Sequence, residues 1–158
     1  MPSKVEVFLQ HITDEGLSEH RFVELGASLL TPSDRQSLES AIPALLEVAS
    51  RRRRSNPKRA GQIEFLVRSL DADAEQLPEV TRREASFTLL YFSRCSDLLP
   101  NPVPLVGFLD EEAALELVLS RHAQQFEEFC GFNHIDWSAV RPGAGQTRFP
   151  MGQSLCPI

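Results

Sequence analysis

The sequence has few cysteines and none of the motifs by which common enzymes are recognised. Its three cysteines, Cys95, Cys130 and Cys156, are odd in number and far apart, which fits a reducing compartment better than a disulfide framework. The chain contains no P-loop, dinucleotide-binding fingerprint, HExxH pair or nucleophile elbow. These absences remove the enzyme classes that reveal themselves in sequence, and they favour a protein that is not an enzyme.

The chain also lacks a long uninterrupted apolar run and an excess of positive charge. Its most apolar stretch, residues 87–109, contains Arg94 and Asp97 and is broken by prolines, whereas a membrane-spanning helix needs about 20 mostly apolar residues. The N-terminus has no apolar core of a secretory signal. The formal net charge of −6 does not favour binding of nucleic acid by the surface as a whole. We therefore predict a cytoplasmic protein without a transmembrane span.

The composition is that of a protein with one ordinary core. The chain has 158 residues, of which 42% are hydrophobic and 24% charged, and this suits a single domain covering residues 1–158. Apolar residues recur at helical spacing along most of its length. We predict an all-α fold, a compact bundle of five or six helices. Residues 131–158 are rich in glycine and proline, which predicts an irregular C-terminal tail anchored by Trp137 and Phe149.

The local sequence predicts where two helices begin. Thr31 and Asn56 are each followed by a proline, and a capping residue before a proline is typical of the first turn of a helix. In the helix after Thr31, Pro43 lies within the apolar face. A proline inside a helix removes a hydrogen bond and clashes with the preceding turn, so we expect a kink or a break near Ser40.

The stretch around which the chain is organised is residues 97–112, which read DLLPNPVPLVGFLDEE. Its prolines lie at alternate positions, beginning with Pro100 and ending with Pro104. Each proline fixes its own φ and pushes the preceding residue out of the helical region. We therefore expect one helix to end near Asp97 and the chain to continue in an extended form.

The second half of this stretch is arranged to begin another helix. Gly107 permits a backbone geometry that a side chain would forbid, and Asp110 is placed to cap the helix that follows. The clearest helical pattern of the chain covers residues 110–130, and Gly131 is a natural stop. We predict a buried elbow that folds this helix against residues 78–96 as a hairpin.

The same stretch resembles the signature of the YkvA-like family, small bacterial helical domains of unknown function, which reads roughly DLIPDxIPxLGYLDD. The residues that fall in register are Asp97, Leu98, Pro100, Val103, Pro104, Gly107, Phe108, Leu109 and Asp110. Asn101, Pro102 and Glu111 depart from the signature. The resemblance covers about residues 87–119 and implies a helical core at about residues 78–130. It implies no particular activity, because the family has none that is agreed.

A short basic run is the clearest candidate for a binding surface. Six of the sixteen lysines and arginines are Arg51, Arg52, Arg53, Arg54, Lys58 and Arg59. Such a cluster can bind an acidic patch on another protein, phosphates of nucleic acid or an anionic membrane surface. It is also what a solvated helix end prefers, since cations stabilise the negative end of the dipole. We favour a protein partner, because no stacking aromatic residues lie nearby.

The acidic residues at the elbow are the candidates for chemistry. Asp97, Asp110 and Glu111 would approach one another in a hairpin, and clustered carboxylates can bind a divalent cation or carry out acid–base catalysis. Capping explains the same residues without a metal. The residue types that bind zinc are Cys95, His122, Cys130 and His134, but their spacing matches no zinc finger or ribbon. We predict no metal and no cofactor.

These observations favour a bacterial interaction or regulatory protein that binds another macromolecule, most readily another protein. Two alternatives stay open at this point. One is a metal-binding or hydrolytic enzyme that uses the acids of the elbow. The other is a peripheral protein that binds nucleic acid or membranes through the basic run.

Overall fold

The chain folds into a bundle of helices in the computed structural model, which describes residues 3–11, 18–73, 75–95 and 111–143. The helices are α1 (Lys4–His11), α2 (Glu19–Ser28), α3 (Pro32–Arg52), α4 (Pro57–Ser69), α5 (Glu79–Cys95), α6 (Glu111–Arg121) and α7 (Ala123–Asn133). A 3₁₀ turn follows at Trp137–Ala139. No strand occurs in these ranges, and the all-α prediction is confirmed. None of the described helices is long and apolar enough to cross a membrane.

The helices are more numerous than predicted because the stretch expected as one helix, residues 110–130, forms two. The break lies at His122, whose backbone has φ −121° and ψ 31° and whose carbonyl accepts the first bond of α7, from Phe126 N at 2.9 Å. The predicted stop at Gly131 is wrong. Helix α7 continues to Asn133 and ends at His134, which takes the left-handed conformation with φ 57°.

The two predicted helix starts are confirmed. Thr31 and Asp34 cap each other at the start of α3: Asp34 N donates to Thr31 Oγ1 at 3.2 Å, and Thr31 N donates to Asp34 Oδ2 at 2.9 Å. Asn56 Oδ1 accepts from Arg59 N at 3.1 Å at the start of α4. Helix α3 runs without a break through Pro43. Because Pro43 is exposed, water can reach the carbonyl group that its ring leaves without a donor.

Helix α5 is the centre of the bundle, since it packs against α2, α3, α4 and α6. All residues from 84 to 93 are buried. At the other end of the core, Phe65 of α4 makes edge contacts with Phe126 and Phe129 of α7 at centroid distances of 5.4 and 5.8 Å. Trp137 packs on the same ring at 6.3 Å, so it anchors the start of the tail as predicted. Phe149 lies outside the described residues.

Helices α5 and α6 run antiparallel, as the predicted hairpin requires. Arg121, at the end of α6, pairs with Glu84 in the first half of α5. Glu112, at the start of α6, and Phe92, near the end of α5, both contact Arg52. The elbow that would join these helices, with its residues Asp97, Pro100, Pro104, Gly107 and Asp110, lies outside the described residues.

Candidate functional site

Four of the six cations in the basic run are used inside the molecule, and Arg59 is the most deeply placed. It is only 7% exposed. Its Nη1 donates to Glu116 Oε2 at 3.0 Å and also binds Gln62 Oε1, while its Nε lies 3.3 Å from Glu112 Oε1. Gln62 Nε2 in turn donates to Glu116 Oε2 and to Val140 O, each at 3.0 Å. Arg59 therefore fastens α4 to α6 and is not available to a partner.

Three further cations of the run also bind other parts of the chain. Arg52 Nη1 donates to Glu112 Oε2 at 2.9 Å, and its guanidinium lies 5.5 Å from the centroid of the Phe92 ring. Arg53 pairs with Glu64 across the α3–α4 turn, and Lys58 Nζ donates to a backbone carbonyl of the 3₁₀ turn at 3.1 Å. Most cations of the basic run, which the sequence suggests as a docking surface, therefore form ion pairs or hydrogen bonds within the chain.

Arg51 and Arg54 are the exception. Both are exposed, Arg51 in the last turn of α3 and Arg54 in the turn that follows. Neither forms an ion pair within the described part of the chain. We refer to residues 51–56 as the α3–α4 corner. It presents two arginines to solvent at the end of α3 and in the turn that follows, and this is the part of the predicted site that the fold leaves accessible.

A second polar cluster, which the sequence did not reveal, lies inside the α5–α6 interface. We call it the Glu84 cluster; its members are Thr81, Glu84, Arg121 and His122. Glu84 is 2% exposed and accepts from Arg121 through both oxygens, at 2.9 and 3.0 Å, and its Oε1 lies 2.7 Å from His122 Nε2. Thr81 Oγ1 lies 3.1 Å from His122 Nδ1. Arg121 reaches outward to Glu24 and His20 of α2 at 3.4 and 3.0 Å.

The charges of this cluster hold its carboxyl group ionised. Burial alone would raise the pKa of Glu84, but the hydrogen bonds from His122 and Arg121, together with their charges, lower it below its ordinary value. The hydrogen bond to Glu84 raises the pKa of Arg121 in turn. His122 lies at the break between α6 and α7, and its imidazole contacts Thr81 and Glu84 of α5. The cluster is therefore a satisfied internal ion network.

A hydroxyl, an imidazole and a carboxylate in a row are also the groups of a nucleophilic triad. Thr81 is 0% exposed, however, and a substrate could not reach its oxygen without the separation of packed helices. The four groups instead satisfy one another, as buried polar groups must. The arrangement supports a structural role and provides no open reaction site.

Metal and cysteine chemistry, which the sequence offers as an alternative, can be compared with the described residues. In the described part of the chain no three histidine, cysteine, aspartate or glutamate side chains form a group that could hold a metal ion. His122 belongs to the Glu84 cluster and His134 is exposed, while Cys130 is 1% exposed and burial raises the pKa of its thiol to about 11. Such a thiol is not a nucleophile at neutral pH. Asp97 and Asp110 lie outside the described residues, as do the side chains of Glu111 and Cys95.

Glu84 is not among the candidate residues that the sequence suggested. The signal that was available is the spacing of Thr81, Glu84 and Thr88, which recur at helical intervals on the same buried face as the apolar residues. A charged residue in that position requires a buried partner. The pattern therefore predicts a partner, although it does not say which residue supplies it.

Comparison of the chain with family models, curated proteins and solved structures gave no match in any of the three.

Proposed function

We propose that this chain is a non-enzymatic, cytoplasmic regulatory protein of the bacterial YkvA-like type, which binds an acidic segment of another protein through the α3–α4 corner. The observation that carries the proposal is the division of the basic run. Arg52, Arg53 and Arg59 have carboxylate partners within the chain, whereas Arg51 and Arg54 are exposed and without an ion pair among the described residues.

The chemistry of the corner supports an acidic partner. Arg51 and Arg54 lie three residues apart in sequence at this corner, and an arginine can hold a carboxylate in a bidentate pair. A nucleic acid or an anionic membrane is less suited, since binding to phosphates relies on several cations acting together. The nearby aromatic residue, Phe92, is fully buried and cannot stack on a base. The corner therefore suits a short acidic peptide segment.

The test compares two double variants as baits in lysate of the source cells. Arg51→Gln/Arg54→Gln removes the corner charges, and Arg21→Gln/Arg68→Gln removes the same number from exposed positions on α2 and α4. We expect the wild type and the control to capture one common protein that the corner variant loses, as measured by quantitative mass spectrometry. With that partner purified, the corner variant should bind at least about tenfold more weakly, and the wild-type affinity should fall with salt.

Two results would overturn this proposal. One is a partner whose affinity is the same for the corner variant and the control. The other is loss of binding to duplex DNA or to phosphatidylserine vesicles in the corner variant alone, because this would assign the corner to phosphate groups.

A further inference from the structure

A cavity of about 180 Å³ lies between α3, α4 and α5, at the opposite end of α3 from the α3–α4 corner. Its apolar lining comes from Leu38 and Ile42, one turn apart on α3, and from Val67 and Leu70 at the end of α4. Leu38 is buried, and the other three are half-buried. The cavity has room for roughly six waters at about 30 Å³ each, which is the size of a short aliphatic group and too small for a nucleotide or a sugar chain.

The rim of this cavity carries charges of both signs. Arg35 and Glu39 of α3 and Asp71, just after α4, line it and are exposed. None of the three forms an ion pair with another described residue. Ser86 lines the side formed by α5, and its hydroxyl already donates to Arg82 O at 2.8 Å. The Ser86 oxygen therefore offers an occupant only acceptor capacity.

These charges discriminate among small aliphatic ligands. Glu39 and Asp71 would attract an alkyl ammonium ion, but Arg35 would repel it. Arg35 would attract an alkyl carboxylate, but Glu39 and Asp71 would repel it. A molecule with both groups at one end satisfies all three side chains. We infer that the cavity binds a small aliphatic α-amino acid, with its carboxylate at Arg35, its ammonium at Glu39 and Asp71, and its side chain against the apolar lining.

The first experiment varies the ligand and leaves the protein unchanged. L-Leucine is titrated into the wild-type chain by calorimetry, and amide shifts are followed by NMR. The analogues are 3-methylbutylamine, which lacks the carboxylate, 4-methylpentanoate, which lacks the ammonium, and glycine, which lacks the apolar side chain. We expect saturable binding of leucine, shifts confined to α3, α4 and α5, and at least about tenfold weaker binding of each analogue.

The second experiment varies the protein. Val67→Phe fills the cavity and is expected to abolish leucine binding, while Val80→Phe places the same ring at an exposed position of α5 and should leave it unchanged. Arg35→Gln and Asp71→Asn should each weaken leucine binding while reducing the preference over the analogue that lacks the matching charge. The variant Arg51→Gln/Arg54→Gln should bind leucine normally, so failure at the corner and failure at the cavity are distinguishable.

The inference is overturned if the wild type shows no saturable binding of leucine up to its solubility limit. It is equally overturned if 3-methylbutylamine or 4-methylpentanoate binds as well as leucine, or if the shifts lie away from the three helices. If Val67→Phe does not fold, the binding of leucine and its analogues to the wild type is sufficient to test the inference.

Discussion

Helix α5 packs against α2 and α6 through different kinds of interaction. On the α2 side the buried contacts are aromatic: Phe22 meets Phe87 and Tyr91 edge-on at centroid distances of 5.2 and 5.1 Å, and Arg83 at the edge adds bonds to backbone carbonyls. On the α6 side Glu84 accepts three hydrogen bonds from charged or ionisable groups. The first interface depends on volume and shape. The second depends on every charge keeping its partner, so different substitutions should break the two interfaces.

The largest expected effect is at the ionic interface. Glu84→Ala removes the buried acceptor of His122 Nε2 and of two Arg121 hydrogen bonds, and it leaves Arg121 only its outer partners Glu24 and His20. Breaking a buried pair from one side costs about 3–5 kcal/mol of unfolding free energy. Urea denaturation monitored by circular dichroism measures the loss, and we expect the variant to be the least stable of those described here.

The matched control for this variant is Glu79→Ala, in the first turn of α5. Glu79 pairs with Arg82 and Arg83 at the surface, and its side chain is 60% exposed. Exposed pairs contribute about 0–1 kcal/mol. If the two variants lose similar amounts of stability, the Glu84 cluster does not hold the α5–α6 interface in the way described.

The aromatic interface should respond instead to added volume. Gly26 of α2 faces the Phe87 ring so closely that a Cβ atom would lie within 2.6 Å of three ring atoms. Overpacking of a core costs about 1–3 kcal/mol, and the better helix propensity of alanine returns up to about 1 kcal/mol. We expect Gly26→Ala to lower the unfolding free energy by about 1–2 kcal/mol, measured by the same denaturation.

Two further variants test this reason. Gly131→Ala, in α7, has nothing within 4 Å of the new methyl group, and it should be neutral or stabilising by up to about 1 kcal/mol. Combining Gly26→Ala with Phe87→Leu makes room for the methyl group, so the glycine substitution should cost less in that background. Additive effects in the double-mutant cycle would contradict a direct clash between the two positions.

The difference between the interfaces also explains what the sequence could predict of the fold. Helix starts at Thr31 and Asn56 were predictable because a cap and the amide that it binds lie three residues apart. The break at His122 was not, since the residue lies on an apolar stripe in the sequence and its partners Thr81 and Glu84 are about 40 residues away on α5. A break at Pro43, one of the two outcomes expected there, does not occur, and a local rule cannot tell that this proline is exposed to solvent.

The candidate binding site was likewise predictable from the sequence only in part. The run of cations was visible in the sequence, but Arg59 and Glu116 are 57 residues apart, and nothing local indicates that they pair. Only the packing of α3, α4 and α6 separates the arginines that pair with Glu64, Glu112 and Glu116 from Arg51 and Arg54, which stay exposed. Sequence therefore predicted where positive charge is concentrated, while the fold decided which part of it is accessible.

The smallest expected effect is a change with pH. It is the change in how much less stable a variant is than the wild type. Since the pKa of Glu84 in the folded protein lies below its ordinary value of 4.5, the unfolded chain binds the proton more tightly, and lowering the pH favours unfolding. The stability that charged Glu84 contributes is fully present above about pH 4.5 and is lost as the pH falls through the lowered pKa.

The measurement compares Glu84→Gln and Gly26→Ala with the wild type between about pH 6 and pH 3. We expect the stability deficit of Glu84→Gln to shrink towards acid, because the wild type loses the ionised carboxylate that the variant lacks already. The deficit of Gly26→Ala should stay constant, since a methyl group in contact with a ring carries no proton. Parallel pH profiles for all three proteins would mean that Glu84 titrates alike in the folded and unfolded chains, and that its ion network contributes nothing that acid can remove.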